Sequence, residues 1–425
     1  MKHNKLVSVI ILACGAVALS ACSLFNDKDI EIKNSYNPHD QTPEPDPNAI
    51  EINGIPGTAM DNIQSYCFQD LGYAEGGTIV NHYKENAYNV NGGNDYDGNS
   101  STNNYDLYVP MNIDKTKKNT VLLFIHGGSW IMGVKEDVNE YVQEFAKRGY
   151  VTATIKYTLL RRSMDDSSRS IFRNLDEIHA CIASIKSVLG QLDFDTTKLD
   201  LAIGGASSGA HLSMLYSYSR GDTSPIPIKF VVDAVGPVNI KSDTWKEFKT
   251  VNASVLDAGL TYSAIADQAS ADNLQNLKIA GESGENPYWN EYHTMRIANG
   301  MCGMPYSLDV VKAATDEHEA TITDPSNAAY VSMTADGGGE DQLSVTYWIN
   351  HTTNRFPIIC AYAGKDTIVG IAQYAKLEKA LDDNSITHPD YFYFRNCNHT
   401  DIKKGVDNYD EFVNQIDSWC AADSI

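Results

Sequence analysis

From Tyr105 onward, short apolar runs alternate with segments of helical length, and this rhythm limits the chain to few architectures. Runs at Tyr105–Val109, Val121–Ile125, Val151–Ile155, Leu199–Ile203, Phe230–Val235, Pro357–Tyr362 and Tyr391–Phe394 read as strands. Amphipathic segments at 137–147, 171–189, 208–218, 372–381 and 408–419 read as helices between them. Strands separated by helices pair in parallel through right-handed crossovers, so the expected body is α/β: a mostly parallel central sheet with helices on both faces. In such sheets reactive groups collect at the carboxyl ends of the strands. With 425 residues, 42% of them apolar, the chain is long enough for one large core.

The regions outside this rhythm read differently. Lys2 and Lys5 precede an apolar stretch, Leu6–Leu19, that is shorter than the roughly 20 residues needed to span a bilayer. It ends in Leu19-Ser20-Ala21-Cys22, which resembles a bacterial lipobox. Residues 1–21 are therefore expected to be a lipoprotein signal peptide, with Cys22 as the lipidated first residue of an exported protein held in the cell envelope by acyl chains alone. Residues 22–54, with Pro38, Pro43, Pro45 and Pro47 among acidic residues, are expected to form a flexible tether to a body spanning 55–425. Residues 91–104 are rich in turn formers and read as a solvated loop; Asp95-Tyr96-Asp97-Gly98 only faintly echoes a calcium loop. The stretch from about 239 to 354 breaks the strand rhythm, and it is expected to be a helical insertion, lid or cap. A net charge of −22 without a basic cluster argues against a nucleic-acid partner. Beyond the signal region, Cys67, Cys181, Cys302, Cys360, Cys397 and Cys420 show no zinc-ligand spacing and are expected to be buried thiols or bridges, with no metal and no cofactor.

Three strand ends carry chemistry. Gly205-Ala206-Ser207-Ser208-Gly209 places Gly-x-Ser-x-Gly between an expected strand and an expected helix, the setting of a nucleophile elbow. Glycines at 205 and 209 remove side chains from a sharp turn, and the following helix start aims amides and positive dipole at an oxyanion, Ser208 supplying one N–H. After Val121–Ile125 comes His126-Gly127-Gly128-Ser129-Trp130, whose glycines let backbone N–H groups approach a ligand; His126 is expected to pin this turn through a backbone hydrogen bond. A serine needs a general base oriented by a carboxylate, following it in the order Ser, Asp, His. Asp366, just past the strand at 357–362, and His399, after the last strand, satisfy that order, whereas Asp382, Asp383 and His388 fall in a helix end or ahead of a strand.

With these residues in hand, the chain resembles the bacterial carboxylesterase branch of the α/β-hydrolase superfamily, relatives of hormone-sensitive lipase and of acetyl and feruloyl esterases. The resemblance runs from about Tyr105 to the C-terminus apart from 239–354. Tyr105-Asp106-Leu107-Tyr108-Val109-Pro110 looks like the family's opening strand, Lys156-Tyr157-Thr158-Leu159 like its Tyr-Arg-Leu strand end with Thr158 in place of Arg, and Asp193-Phe194-Asp195 like the turn before the nucleophile strand. It implies Ser207 as nucleophile, His399 as base, Asp366 as orienter, and Gly127, Gly128 and Ser208 as oxyanion donors. Ser129 stands where many relatives have a third glycine, and Ile368-Val369-Gly370 replaces the usual Val-Pro after the acid. The expected function is serine-dependent hydrolysis of short acyl esters, with acetylated or feruloylated polysaccharide among the candidate substrates. Amide hydrolysis of the formamidase or peptidase kind, or a non-catalytic surface lipoprotein on a hydrolase scaffold, are the alternatives.

Overall fold

A strand covered on both faces carries apolar residues on both, and β4 (Asn119–Ile125), buried along its whole length, does so from Val121 to Ile125. The computed structural model describes residues 60–62, 80–87, 103–110, 113–130, 132–160, 169–240, 301, 337–366 and 368–425. Around β4 these form one nine-stranded sheet with β1 (Met60–Asn62), β2 (Val80–Ala87), β3 (Asn104–Pro110), β5 (Val151–Ile155), β6 (Leu199–Ala206), β7 (Ile228–Ala234), β8 (Ile358–Ala363) and β9 (Phe392–Phe394). The spatial order is β1-β2-β3-β5-β4-β6-β7-β8-β9. Pairing is parallel from β5 across to β9, while β1, β2 and β3 run antiparallel at one edge.

Successive side chains of a strand point to opposite faces, so β4 feeds two apolar layers. Val121, Leu123 and Ile125 join one, and Leu122 and Phe124 the other. The second layer is closed by α1 (Asn139–Lys147), through Val142 and Phe145, and by α7 (Tyr409–Ala421), through Phe412, Val413 and Ile416. The first is closed by α2 (Ile171–Gln191), α3 (Ser208–Arg220), α5 (Val345–His351) and α6 (Ile371–Asp383). Ser170 starts α2 by accepting a hydrogen bond from Arg173 N–H, and Ile171, Leu175, Ile178, Ile182, Ile185 and Leu189 make its buried stripe. Full burial of side chains this size contributes roughly 1.5–3 kcal/mol each.

The ends of the 239–354 stretch that are described belong to this body. The N–H groups of Val238 and Asn239 donate to Gln373 Oε1 (2.8 and 2.9 Å), and Ile240 N–H donates to Ser344 Oγ (2.8 Å). A short helix α4 (Gly339–Leu343) leads directly into α5, which packs against α3. Apart from Met301, which is buried in the first apolar layer, the rest of that stretch, the signal region with Cys22, the tether, the loop before Asn103, and Cys67 and Cys302 lie outside the described residues. Cys181, Cys360, Cys397 and Cys420 are buried free thiols.

Candidate active site

The end of β6 and the start of α3 meet at Ser207. Its N–H still donates to Ala234 O of β7 (2.8 Å), while its carbonyl already accepts the first helical bond from His211 N–H (3.0 Å). Joining those two directions forces φ 54° and ψ −122° on a non-glycine residue, a conformation that costs on the order of 1–3 kcal/mol and survives only when its surroundings dictate it. Here the dictating element is the carboxyl end of β4. A Cβ on Gly205 would lie 2.4 Å from Ile125 O, and one on Gly209 2.0 Å from the same oxygen and 2.5 Å from His126 O. Only glycine fits at either side of the serine. Ser207 Oγ makes no capping hydrogen bond to its own helix, so the hydroxyl is not consumed by local structure.

The turn after β4 runs alongside this elbow. A Cβ on Gly127 would stand 2.9 Å from Ala206 O and 3.2 Å from Ser207 Cβ, so the Gly127 backbone borders Ser207. Gly128, Ser129 and Trp130 all have positive φ (116°, 52° and 62°), which swings the turn around, and Met132 N–H closes it onto Gly128 O (3.0 Å). His126 Nδ1 lies 2.8 Å from Gly127 O; a carbonyl only accepts, so that nitrogen carries the proton. The ring stacks on Tyr157 (centroids 4.3 Å apart), whose hydroxyl donates to His126 O (3.1 Å). Burial pushes the His126 pKa down, so this imidazole is a neutral clamp on the turn. On the opposite side, Ser208 opens α3, where the first amides have no acceptor within the helix and carry its positive end.

Asp366 and His399 come from the next two strand ends. The Asp366 carboxylate is fully buried; Oδ1 accepts from Ile368 N–H (2.8 Å) and Val369 N–H (2.9 Å), and Oδ2 faces His399 Nδ1 at 2.6 Å. Three donors on one carboxylate fix its plane, and the acceptor at Nδ1 fixes the tautomer that leaves Nε2 with its lone pair. The two loops are laced together by Gly364 N–H to Phe394 O (2.9 Å) and Lys365 N–H to Cys397 O (2.9 Å). Asp401 Oδ2 receives both the backbone and side-chain N–H of Asn398, closing the loop that carries His399. The sequence-derived acid and base are therefore in contact, while no hydrogen bond joins Ser207 Oγ to His399 among those made by the described residues. Such contacts are commonly loose without substrate.

Residues 105–276, less than half of the chain, match the sequence profile of the family BD-FAE, esterase-like α/β-hydrolases. Together with the sheet order and the strand–serine–helix turn, that match gives the chain's fold. The chain has the α/β-hydrolase fold. Among solved structures the chain is similar to esterase B from Lactobacillus rhamnosis, at 13% identity over 80% of this chain and 86% of that one (TM-score 0.48). A bacterial heroin esterase is similar at 13% identity over 83% and 86% (TM-score 0.49), and a truncated carbohydrate esterase from gut microbiota at 13% over 80% and 99% (TM-score 0.47). No curated protein matches its sequence.

Two buried residues beside this elbow escape sequence reasoning. His211, one turn past Ser207, is fully buried and bridges Trp130 to Leu343 O. Asp233 of β7 is also fully buried, with Oδ1 accepting from Gly236 N–H (2.8 Å) and Oδ2 lying 2.7 Å from the Tyr362 hydroxyl. That hydroxyl is also 2.9 Å from Gly236 O, so its one proton faces two acceptors. Burial pushes Asp233 up to about 7, and a protonated carboxyl supplies the second donor this arrangement needs. The available signals were a histidine on a wholly buried helix and an aspartate inside an apolar strand. Among the described residues no group of three or more His, Cys, Asp or Glu is placed to hold a metal ion.

Proposed function

We propose that this α/β-hydrolase is a serine carboxylic ester hydrolase acting on short acyl esters. The observation that carries the reading is the 2.6 Å Asp366–His399 pair at the same sheet edge as the strained Ser207 elbow. In the proposed cycle His399 Nε2 removes the Ser207 proton as Oγ attacks the ester carbonyl. The oxygen that becomes negative is held by the N–H groups of Gly127, Gly128 and Ser208, reinforced by the helix start. His399 then protonates the leaving alcohol. Water, activated by the same imidazole, hydrolyses the acyl-serine and releases the acid, while Asp366 holds the imidazole's Nδ1–H throughout.

The substrate class of acetylated or feruloylated polysaccharide rests on the family resemblance, and residence in the cell envelope through lipid on Cys22 rests on the lipobox-like Leu19–Cys22. With purified protein, p-nitrophenyl acetate is expected to turn over faster than longer-chain esters. Ser207→Ala is expected to lower kcat by about 10⁵–10⁶-fold. Undiminished turnover in that variant, measured by p-nitrophenolate release, overturns the assignment.

A further inference from the structure

The turn from Gly127 to Trp130 contains two consecutive non-glycine residues at positive φ, so it needs anchors outside itself. Its backbone anchors are Met132 N–H to Gly128 O (3.0 Å) and Leu160 N–H to Trp130 O (2.8 Å). Its side-chain anchor is the Trp130 indole, whose Nε1–H donates to His211 Nδ1 at 3.2 Å, the two rings meeting edge to face at 5.3 Å. His211 Nε2 lies 2.8 Å from Leu343 O. An indole N–H can only donate and a carbonyl can only accept, so the ring is fixed as the neutral tautomer with its proton on Nε2. Burial acts in the same direction, pushing His211 down to about 4.

The position of this imidazole in the chain matters as much as its partners. His211 N–H donates to Ser207 O, so the residue is bonded to the backbone of the nucleophile. Leu343 is followed by Ser344, whose Oγ receives Ile240 N–H from the strand-end segment after β7. One ring thus joins three things: the nucleophile helix, the turn bearing the oxyanion donors, and the Leu343–Ser344 junction between α4 and α5.

We infer that His211 is a positioning residue for the oxyanion turn, setting the pose of Gly127 and Gly128 through Trp130 and tying that pose to the docking of the Leu343–Ser344 junction. This rests on the ester-hydrolase reading, and it assigns the residue no contact with substrate. A positioning role predicts a loss in the chemical step and not in binding.

The test compares His211→Phe, Trp130→Phe, the double variant and His211→Gln. Phenylalanine keeps an apolar ring with neither donor nor acceptor, whereas glutamine offers one of each. Both single Phe variants are expected to lower kcat on p-nitrophenyl acetate by about 10- to 100-fold with KM held within about twofold. The double variant is expected to fall no further than the worse single one, because both remove the same bond. His211→Gln is expected to recover much of the loss. A wild-type kcat in either Phe variant, multiplying losses in the double, or an effect confined to KM overturns the inference. If His211→Phe does not fold, Trp130→Phe and His211→Gln read the same split. A second measurement does not depend on turnover: in protein with ¹⁵N-labelled indoles, five tryptophans give five resonances to assign. The Trp130 N–H is expected to exchange slowly with solvent, and to shift and exchange faster in His211→Gln or His211→Phe. An unchanged resonance overturns the bridge, whereas the absence of Ser207-dependent turnover in the wild type overturns only the ester-hydrolase reading.

Discussion

The two glycine-framed turns that meet at Ser207 hold their strain by different means. The elbow is held by backbone packing: Gly205 and Gly209 lie against the last carbonyls of β4 with no room for a methyl group. The turn at 127–130 has two backbone hydrogen bonds, Met132 N–H to Gly128 O and Leu160 N–H to Trp130 O, and depends besides on side chains, namely His126 on Gly127 O, Tyr157 on His126 O, and His211 on the Trp130 indole. A packing constraint acts through a local pattern of small residues. A side-chain constraint acts through residues far apart in sequence, and it responds to whatever protonates or repositions them.

That contrast can be broken first at Gly209. An alanine there places Cβ 2.0 Å from Ile125 O, and backbone on both sides cannot yield. Gly209→Ala is expected to cost about 3 kcal/mol or more, seen as a fall in Tm on the order of 10 °C together with loss of activity; a wild-type melting curve would remove the packing account of the elbow. Gly127 sits in the other turn, where a Cβ would lie 2.9 Å from Ala206 O and 3.2 Å from Ser207 Cβ, a smaller overlap with backbone than at Gly209. Gly127→Ala is expected to lower Tm by clearly less than Gly209→Ala and to lower kcat by about 10²–10³-fold, the usual effect of spoiling an oxyanion donor such as the one proposed at this turn. Equal damage to Tm at both glycines would erase the distinction between the two turns.

The two sides also differ in a pH dependence of opposite sign. His211 is pushed down to about 4 from an ordinary 6.5, so between those values the unfolded chain binds the extra proton, and the stability linked to the turn is lost as pH falls. Asp233 lies on β7, whose Ala234 carbonyl receives Ser207 N–H, and it is pushed up to about 7 from 3.8. There the folded chain binds the extra proton, so stability on the elbow side is present below about pH 4 and lost as pH rises through 7. Asp233→Asn mimics the protonated carboxyl. Its Tm relative to wild type is expected to climb between pH 4 and pH 8, by the equivalent of roughly 2–4 kcal/mol. A flat difference across that range would show that Asp233 is ionised in the folded protein throughout.

The parts of the molecule that follow a local rule were legible. Strands β4 to β8 are sandwiched between two helical layers and must be apolar on both faces, so they stand out as runs, and the elbow stands out because backbone crowding demands glycine on both sides of Ser207. β6 extends beyond the expected Ile203 to Ala206, because Gly204 and Gly205 keep their ladder partners on both neighbours without adding apolar side chains. The antiparallel end of the sheet was not legible: β2 reads Val-Asn-His-Tyr-Lys-Glu-Asn-Ala, and an antiparallel strand has no need of a continuous apolar run. His211 and Asp233 were missed for another reason. What makes each one matter is a partner 81 to 132 residues away, and no spacing in the sequence encodes such a pairing.

Among the described residues, the four buried thiols divide evenly between the two apolar layers: Cys181 and Cys360 lie in the layer under α2 and α3, Cys397 and Cys420 in the layer under α1 and α7. A thiol reagent can reach each pair only when its own side of the sheet opens. The protein therefore carries a built-in pair of clocks, and the labelling rates at these cysteines report separately how often each face of the sheet breathes.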